Sequence, residues 1–396
     1  MQSNNFVINK KNLPPIKNVD SLIKLLGVDA GYLDFLIEHG VEKNYYRKDP
    51  IPKKNGGERI VYAPNKKLKS LLKRINNKIF SQISFPHYLY GSISDSEHPR
   101  DYIRCASVHC KAKILIKIDI QDFFPSMDSV GVNSIFSKFF NFSDEVSQIL
   151  TKLTTYHGIV PQGSPTSTFL ANLYFYDVEP SIVSHLESEG FRYTRLIDDI
   201  TISKSERGES YKYIKPRIIK MITNKGLVIN EKKCSEQSLK SSQSFKVHGL
   251  CIEEETPKFS KPEILKIRGQ VFNILRVGYC NDKMRMSRDF HKFYFSVKGK
   301  TTKLKRVNSP EYTELKKLLK RNCDPLPDHL EIKRLNRVIS NLSKDYVLLH
   351  NSKRYKSRFF HVYFRLIILS KLYKEEADEF KTRLKRIRPS SDMSSL

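Results

Sequence analysis

The stretch Tyr193-Thr-Arg-Leu-Ile-Asp-Asp-Ile-Thr-Ile-Ser203 places two adjacent carboxylates between apolar arms of similar length. Its β-branched and aromatic residues favour strands, and Asp is a common turn former. The pattern therefore predicts a strand, a turn at Asp198-Asp199 and a second strand. Such a turn would project both carboxylates from the tip of a hairpin. Taken alone, a solvated acidic turn is the more ordinary interpretation of this pair.

A further carboxylate lies in Lys117-Ile-Asp-Ile-Gln-Asp-Phe-Phe-Pro-Ser126. The alternation in Ile114–Ile120 predicts a buried strand ending near Asp119, where an unpaired charge would be costly unless a cation meets it. Phosphoryl transfer uses two divalent ions about 3.5–4 Å apart, and magnesium prefers carboxylate, phosphate and water oxygens. We therefore expect Asp119 and Asp198 to bridge two magnesium ions, for which manganese could substitute, with Asp199 assisting.

A third motif, Gly158-Ile-Val-Pro-Gln-Gly-Ser-Pro-Thr-Ser167, precedes a predicted helix at Phe169–Tyr176. Gly163 would permit a close backbone approach to a planar partner, and the prolines would fix the start of the helix. A generic loop before a helix explains Ser164-Pro165-Thr166. It does not account for the whole Pro-Gln-Gly-x-Pro-x-Ser string.

The charge balance favours a nucleic acid as partner. The 70 Lys and Arg residues exceed the 42 Asp and Glu residues, for a formal charge of +28. This excess attracts polyanions in a salt-dependent way. An AT-biased proteome explains part of the excess but should raise Asp and Glu as well.

The 396 residues suffice for two or three lobes with real cores. The six cysteines form no CxxC pair, which is typical of reduced thiols. The chain opens with no signal peptide, and its apolar stretches are too short to span a bilayer. We expect a cytoplasmic protein that does not bind membranes.

Periodicity predicts the remaining elements. They are two short helices in Val19–Val41, a hairpin in Ile51–Pro64 that turns at Asn55-Gly56-Gly57, and a basic amphipathic helix at Lys66–Phe80. Beyond Pro257 we expect long basic helices with loops near Ser296–Thr302 and Asp324–Asp328, a helical stretch at His329–Ile387, and a tail of disordered composition at Arg388–Leu396.

The three motifs, in this order, resemble the blocks of bacterial reverse transcriptases, most closely the retron and defence-associated (antiphage) groups. The resemblance covers roughly residues 20 to 320. It implies an α+β right-hand polymerase fold with fingers, a palm of antiparallel sheet and helices, and a helical thumb. The implied domains are an N-terminal helical leader (1–45), fingers (46–118), palm (119–257, with part of the fingers near 130–157), thumb (258–325) and a helical C-terminal extension with a disordered tail (326–396).

The resemblance also implies roles for single residues near the carboxylates. Asp119, Asp198 and Asp199 match the metal ligands, which the backbone of Ile120 would complete. Phe124 matches the bulky residue that excludes a ribose 2′ hydroxyl, so deoxynucleotides would be selected. The loop that lines the template and incoming nucleotide is matched by Gln162 and Gly163.

Other blocks imply further contacts. Arg59 matches a residue that binds the triphosphate, with Lys53 assisting. Lys233, or alternatively Lys232, would protonate the departing pyrophosphate. The primer grip is matched by His248 and Gly249, although a surface histidine is an equally good interpretation. Basic thumb residues would track the phosphates of the template–primer duplex: Lys298, Lys300, Lys303, Lys305 and Arg306.

Two departures from the family pattern bear on the prediction. Leu196 stands where Tyr or Phe is usual, and we expect activity to survive. The Asn-Ala-x-x-His and Val-Thr-Gly blocks of retron enzymes are half kept, as Cys105-Ala-Ser-Val-His109 and Val247-His-Gly249. These half-kept blocks, and the extension after about residue 326, favour a neighbouring antiphage class over a true retron.

The sequence thus predicts an RNA-directed DNA polymerase that copies a noncoding RNA, uses deoxynucleoside triphosphates, and works in antiphage defence with a partner protein or as a homo-oligomer. Template-independent or protein-primed DNA synthesis stays open as an alternative. A catalytically silent RNA-binding scaffold is disfavoured, since three converging carboxylates repel one another without a cation. A mobile-element maturase is less attractive because no nuclease-like Cys or His cluster is present.

Overall fold

The computed structural model describes residues 6–42, 46–52, 58–95, 99–206, 211–238, 244–320 and 323–389. The chain divides into two compact units, Met1–Lys258 and Phe259–Leu396.

The first unit is built on a four-stranded antiparallel sheet of β5 (Ile114–Asp119), β6 (Arg192–Leu196), β7 (Asp199–Lys204) and β8 (Ser235–Ser238). The strand order is β6-β7-β5-β8. The sheet's β-branched residues suit strands whose two faces are both covered, and β5 and β7 are buried along nearly their whole length.

Helices pack on this sheet around one continuous apolar core. The helices of the first unit are α1 (Val19–Leu26), α2 (Ala30–His39), α3 (Lys66–Lys78), α4 (Tyr102–Val108), α5 (Phe123–Ser126), α6 (Ser129–Ser134), α7 (Asp144–Thr154), α8 (Ser167–Leu173), α9 (Glu179–Ser188) and α10 (Ile214–Thr223). A π-helical turn follows α6 at Ile135–Phe139, and 3₁₀ turns lie at Phe80–Gln82 and Glu231–Lys233. Sheet and helices together confirm the predicted α+β class.

The remaining strands lie outside the four-stranded sheet. The hairpin of β2 (Tyr46–Pro52) and β3 (Glu58–Pro64) is confirmed, while its predicted turn lies outside the described residues. The others are β1 (Asn9–Lys10), β4 (Ile83–Ser84), β9 (Lys246–Val247), β10 (Leu250–Cys251) and β11 (Lys258–Phe259).

Local sequence explains where the first helices begin. The side chains of Asn18, Asp29 and Asn65 each accept a backbone N–H from three residues further on, at 2.9, 2.9 and 3.0 Å. These caps satisfy N–H groups that have no partner inside the helix. The predicted helices before Val41 and after Lys66 are confirmed.

The second unit is helical and contains two separate apolar cores. The first core lies in α11 (Lys261–Cys280), α13 (Arg288–Arg306) and α14 (Glu311–Leu319), and the second in α15 (Glu331–Leu349), α16 (Lys353–Leu369) and α17 (Lys374–Lys385). A short helix, α12 (Asp282–Met286), precedes α13.

The loop predicted near Ser296–Thr302 is wrong, because α13 runs through it without a break. Val297, Thr301 and Leu304 recur at helical spacing and are buried, and this packing outweighs the cost of Gly299 inside the helix, about 1 kcal/mol. The loop at Asp324–Asp328 is confirmed. Within the described part of the chain, no helix is long and apolar enough to cross a membrane. Residues 390–396 of the predicted tail lie outside the description.

Candidate active site

The sheet register brings the three predicted aspartates together. Asp119 ends β5 and pairs in register with Asp199, the first residue of β7. Asp198 precedes it, and the Asp198 carbonyl accepts the N–H of Ile120 at 3.0 Å. The turn itself is Ile197-Asp198, one residue earlier than predicted, since Asp199 already belongs to the strand. Asp119 is buried, with 4% of its surface exposed.

The three carboxylates lie close enough to affect one another's charge. Burial, together with Asp198 and Asp119, raises the pKa of Asp199 to about 7. Lys233 Nζ lies 3.1 and 3.0 Å from the two carboxylate oxygens of Asp119. That hydrogen bond raises the pKa of the Lys233 amine. Lys233 thus interacts with all three carboxylates and Lys117 with Asp199, and this concentration of carboxylates suits a hard cation.

As the side chains stand, no three His, Cys, Asp or Glu groups among the described residues form a ready metal site. The donor chemistry fits magnesium, but Lys233 occupies the carboxylate of Asp119. A metal ion at Asp119 would therefore either share this carboxylate with Lys233 or displace the lysine. The backbone oxygen of Ile120 stays a predicted ligand.

A cavity of about 520 Å³ opens beside the carboxylates. Its lining includes Asp198 and Asp199 together with three residues predicted for nucleotide binding: Phe124, Gln162 and Gly163. Sequence reasoning missed Gly91 and Ser92, which also line it. In the sequence these two residues are a Gly-Ser pair after an aromatic stretch. Many ordinary turns have this pattern, so it did not indicate a site.

The fold gives Gly163 a structural role in addition to the predicted one. Its φ of +109° is a conformation that side chains rarely adopt, and an added Cβ would lie 2.5 Å from Val61 Cγ1 and 2.9 Å from the Tyr62 carbonyl oxygen. The Gln162 carbonyl accepts the Tyr62 N–H at 2.7 Å. Strand β3 is therefore a close partner of this loop, and the approach of Gly163 to a planar ligand stays a prediction.

Two predicted triphosphate ligands lie partly or wholly outside the described residues. Arg59 lies on β3, opposite Ile51, but its side chain is outside the described part. Lys53 lies outside the described residues altogether.

A buried ion pair, also missed, supports the Ile197-Asp198 turn. Arg195 donates to Glu179 from Nε at 2.6 Å and from Nη2 at 2.8 Å, and from Nη1 to the Ile197 carbonyl at 3.2 Å. Ile197 has a φ of +61°, rare for a β-branched residue. The Gly91 backbone packs on it so closely that a Cβ would lie 2.3 Å from Ile197 Cδ1. The sequence feature that could have indicated this ion pair is an arginine, Arg195, inside a predicted buried strand.

His248 occupies the turn of the β9–β10 hairpin with a φ of +49°, followed by Gly249 at +83°. It is not a surface histidine, since its side chain is 10% exposed. Its Nδ1 lies 3.7 Å from Asp199 Oδ2, and its Nε2 lies 3.2 Å from Cys105 Sγ. The two half-kept sequence blocks therefore contact each other next to a candidate metal ligand.

The basic residues predicted to bind the duplex all lie on α13 in the second unit. One differs from the rest, because Lys300 is half-buried and donates to Gln270 Oε1 at 3.0 Å. The exposed ones are Lys298, Lys303, Lys305 and Arg306.

Comparison with known proteins assigns the class. The sequence model of the family described as reverse transcriptase (RNA-dependent DNA polymerase) matches residues 51–259. The chain therefore belongs to the reverse transcriptase family and is an RNA-directed DNA polymerase. Reverse transcriptases generally use divalent metal ions, an RNA template and nucleotide substrates.

Within that family the chain is of the bacterial retron type. It is 31% identical to the retron Ec48 reverse transcriptase of Escherichia coli, over 96% of this chain and 94% of that protein. It is 34% identical to the retron Se72 reverse transcriptase of Salmonella heidelberg (strain 579083-10), over 82% of this chain and 84% of that protein. Among solved structures, apo telomerase from Candida tropicalis matches at 11% identity and a TM-score of 0.43, over 96% of this chain and 70% of that one, a likeness too distant to inform the site.

These relatives correct one expectation. The half-kept blocks and the C-terminal extension favoured a class next to the retrons. The Ec48 match nevertheless spans 389 residues, which is most of the extension as well as the polymerase. Neither feature separates this chain from retron enzymes.

Proposed function

We propose that this reverse transcriptase copies a noncoding RNA into DNA at the site of Asp119, Asp198 and Asp199, and that the product serves antiphage defence. The supporting observation is the pairing of Asp119 with Asp199 at a cavity that Asp198, Phe124 and Gln162 line. Carboxylates and a bulky aromatic ring around one cavity suit nucleotide addition with selection on the sugar.

The three carboxylates and the Ile120 carbonyl would hold two magnesium ions, or manganese in their place. Such ions, when bound, stabilise the charge on phosphoryl oxygens. Lys233 keeps its proton because Asp119 accepts a hydrogen bond from it, and this protonated amine would be the donor to pyrophosphate. The exposed Lys232 is the second candidate for this role.

The cavity suits a deoxynucleoside triphosphate. Phe124 would leave no room for a 2′ hydroxyl, and Gln162 and Gly163 would support the template and incoming base from the loop held against β3. Arg59, on that same strand, would bind the triphosphate with help from Lys53. A guanidinium suits this task because it donates paired hydrogen bonds to phosphate.

We assign the leader, fingers, palm, thumb and extension to residues 1–45, 46–118, 119–257, 258–325 and 326–396. The exposed lysines and arginine of α13 would track duplex phosphates by charge, and His248 and Gly249 would form the primer grip. The protein would work in the cytoplasm, with a defence partner protein or a second copy of itself.

The test uses purified protein with its co-purifying RNA, labelled deoxynucleotides and magnesium. We expect DNA complementary to that RNA, and loss of product in Asp198→Asn. Asp177→Asn is the matched control, because Asp177 forms an exposed pair with Lys225. Absence of product under every template condition, or Asp198→Asn that protects cells like the native protein, would contradict the proposal.

The same assay separates the alternatives. DNA made after RNase treatment would indicate template-independent synthesis. Product that stays covalently attached to the protein after denaturation would indicate protein priming.

A further inference from the structure

Three aromatic side chains, Tyr62, Tyr156 and His157, form a cluster in the first unit. The ring centroids of Tyr62 and Tyr156 are 4.7 Å apart, with 46° between the ring planes. Those of Tyr156 and His157 are 4.4 Å apart, with 62° between the planes. His157 is exposed and the two tyrosines are partly exposed. This aromatic cluster therefore presents ring surface to solvent instead of enclosing it in the core.

The turn that carries His157 is held by the backbone on both sides. Tyr156 and Ile159 exchange two backbone hydrogen bonds, at 2.8 and 3.2 Å, and Ile159 also pairs with Asp128 in an antiparallel bridge. His157 has a φ of +50°, which histidine adopts more readily than most residues, and Gly158 follows at +76°. Positive φ at both central residues is typical of a tight hairpin turn. The imidazole thus lies at the tip of a well-defined turn.

The aromatic cluster adjoins the nucleotide cavity. Tyr62 donates its N–H to the Gln162 carbonyl at 2.7 Å, and its own carbonyl oxygen would be 2.9 Å from a Cβ on Gly163. Gln162 and Gly163 line the cavity together with Asp198. None of the three aromatic rings belongs to that lining, so among the described residues the cluster stands outside the cavity, against the loop that forms part of its wall.

The requirements of templated synthesis indicate which strand can use this position. The primer terminus must meet the incoming nucleotide at Asp198 and Asp199, beside Phe124, so both of these partners act inside the cavity. The RNA template is the strand that continues past the nucleotide being copied, and its next bases are unpaired. Unpaired bases stack on accessible aromatic side chains, and this stacking tolerates every base because each has a π face. Rings just outside the cavity therefore suit the template.

We propose that Tyr62, Tyr156 and His157 form a stacking platform for unpaired bases of the RNA template. The platform binds without sequence preference, because stacking uses the face of a base and not its hydrogen-bonding edge. Basic residues elsewhere on the protein attract the phosphates, and the platform adds a contact to the bases themselves. The inference rests on the proposed addition of nucleotides at the neighbouring cavity.

The rival explanation is that the rings only pack the turn against β3. His157→Asn removes the ring, while asparagine keeps the left-handed backbone accessible. Tyr156→Leu also removes a ring, and Tyr156→Phe keeps it. His39→Asn is the matched control, because His39 is likewise exposed and stacks on Phe35 at 4.5 Å, on a helix that does not line the cavity.

The experiment measures the affinity of the full-length protein for an RNA template annealed to a DNA primer, by fluorescence anisotropy. One substrate has a short 5′ overhang of unpaired template, one is blunt, and a series carries an abasic nucleotide at each overhang position in turn. We expect one abasic position to weaken binding to the native protein about tenfold, within the range for loss of one stacked base.

The variants show whether the aromatic cluster makes that contact. His157→Asn and Tyr156→Leu should bind the intact overhang about tenfold more weakly, bind the blunt duplex like the native protein, and lose sensitivity to the abasic position. Tyr156→Phe and His39→Asn should behave like the native protein. The slope of log affinity against log salt should stay unchanged in all four variants, since no phosphate contact is removed.

Several outcomes would overturn the proposal. They are native affinity for the overhang in both ring-removing variants, equal losses for the overhang and the blunt duplex, or an abasic effect that persists undiminished in both variants. If thermal unfolding shows that Tyr156→Leu does not fold, His157→Asn and the abasic series still decide. Asp198→Asn separates this proposal from the proposed function. DNA synthesis by Asp198→Asn would contradict the function, whereas loss of synthesis there with native overhang binding in the ring variants would contradict the platform alone.

Discussion

Arg195 and Glu179 form an ion pair in which both side chains are completely buried. Tyr193 also donates to Glu179 Oε1, at 2.8 Å, and Arg195 reaches the carbonyl of Ile197. The pair therefore ties helix α9 to the turn that presents Asp198.

Breaking this pair should cost both stability and activity. Glu179→Gln leaves the Arg195 charge buried without a counter-charge, and such losses amount to about 3–5 kcal/mol of unfolding free energy. Urea unfolding measures it. Asp177→Asn, two residues earlier in a partly exposed pair, should cost under about 1 kcal/mol. Equal losses in the two variants would contradict a special role for the buried pair.

Phe124→Ala should relax discrimination against ribonucleotides. The ring lines the cavity beside Asp198 and Asp199, so its removal opens space where a 2′ hydroxyl would lie. The measurement is the ratio of kcat/KM for a deoxynucleotide and its ribonucleotide, which we expect to fall at least tenfold. Phe139→Ala, another half-buried ring outside that cavity, serves as control. An unchanged ratio in Phe124→Ala would refute the assignment.

Gly163→Ala should impair nucleotide use more than Gly158→Ala. Both glycines have positive φ values, +109° and +76°, so both substitutions strain the backbone. Only at Gly163 does the new methyl group collide with β3, whereas nothing lies within 4 Å at Gly158. Steady-state kinetics should show a rise in KM for deoxynucleotides in Gly163→Ala alone. Matching kinetics would mean that the contact with β3 is unimportant.

His109 should make the protein sensitive to acid. Burial lowers its pKa to about 3 from an ordinary value of 6.5. Between these values the unfolded chain binds a proton that the native protein does not, so stability is fully present above pH 6.5 and falls as the pH drops toward 3. His109→Gln should flatten this part of the profile in urea unfolding between pH 7 and 4. The exposed His185→Gln should keep the native profile; a native profile in His109→Gln would contradict the prediction.

Lys305 and Lys300 should differ in their effect on nucleic-acid binding. Lys305 is exposed on α13, so Lys305→Ala should reduce the slope of log affinity against log salt by up to about 0.9, one phosphate contact. Lys300 donates a hydrogen bond to Gln270, so Lys300→Ala should instead lower the free energy of unfolding by about 1 kcal/mol. Fluorescence anisotropy at several salt concentrations and thermal unfolding measure the two effects. Identical salt slopes for both variants would contradict the distinction.

The sequence predicted the parts of the site that depend on local pattern. Strand alternation located Asp119, and the flanking β-branched arms located the Asp198-Asp199 hairpin to within one residue. The same reasoning failed at Ser296–Thr302, because buried side chains keep α13 helical across Gly299. The intrinsic helix propensity of single residues is a poor guide where the burial of neighbouring side chains determines the secondary structure.

Contacts between distant segments could not be predicted. Glu179 and Arg195 lie in different elements, and an ordinary surface glutamate has the same local pattern. Cys105 and His248 are 143 residues apart in sequence, so two departures that seemed separate are one contact in space. Gly163 was recognised as a close-approach glycine, but only the fold shows that the neighbour is β3.

Ile197 holds a left-handed conformation that isoleucine adopts only when its surroundings compel it, at a cost of about 1–3 kcal/mol. The close packing of Gly91 and the hydrogen bond from Arg195 to the Ile197 carbonyl hold the residue in this conformation. The spacing of the carboxylates is consequently set when the chain folds, before any substrate arrives, and substrate binding energy need not be spent on shaping the turn. Glycine in place of Ile197 would relieve this backbone strain but would also loosen the turn that carries Asp198, so we expect thermal stability and the rate of DNA synthesis to change in opposite directions.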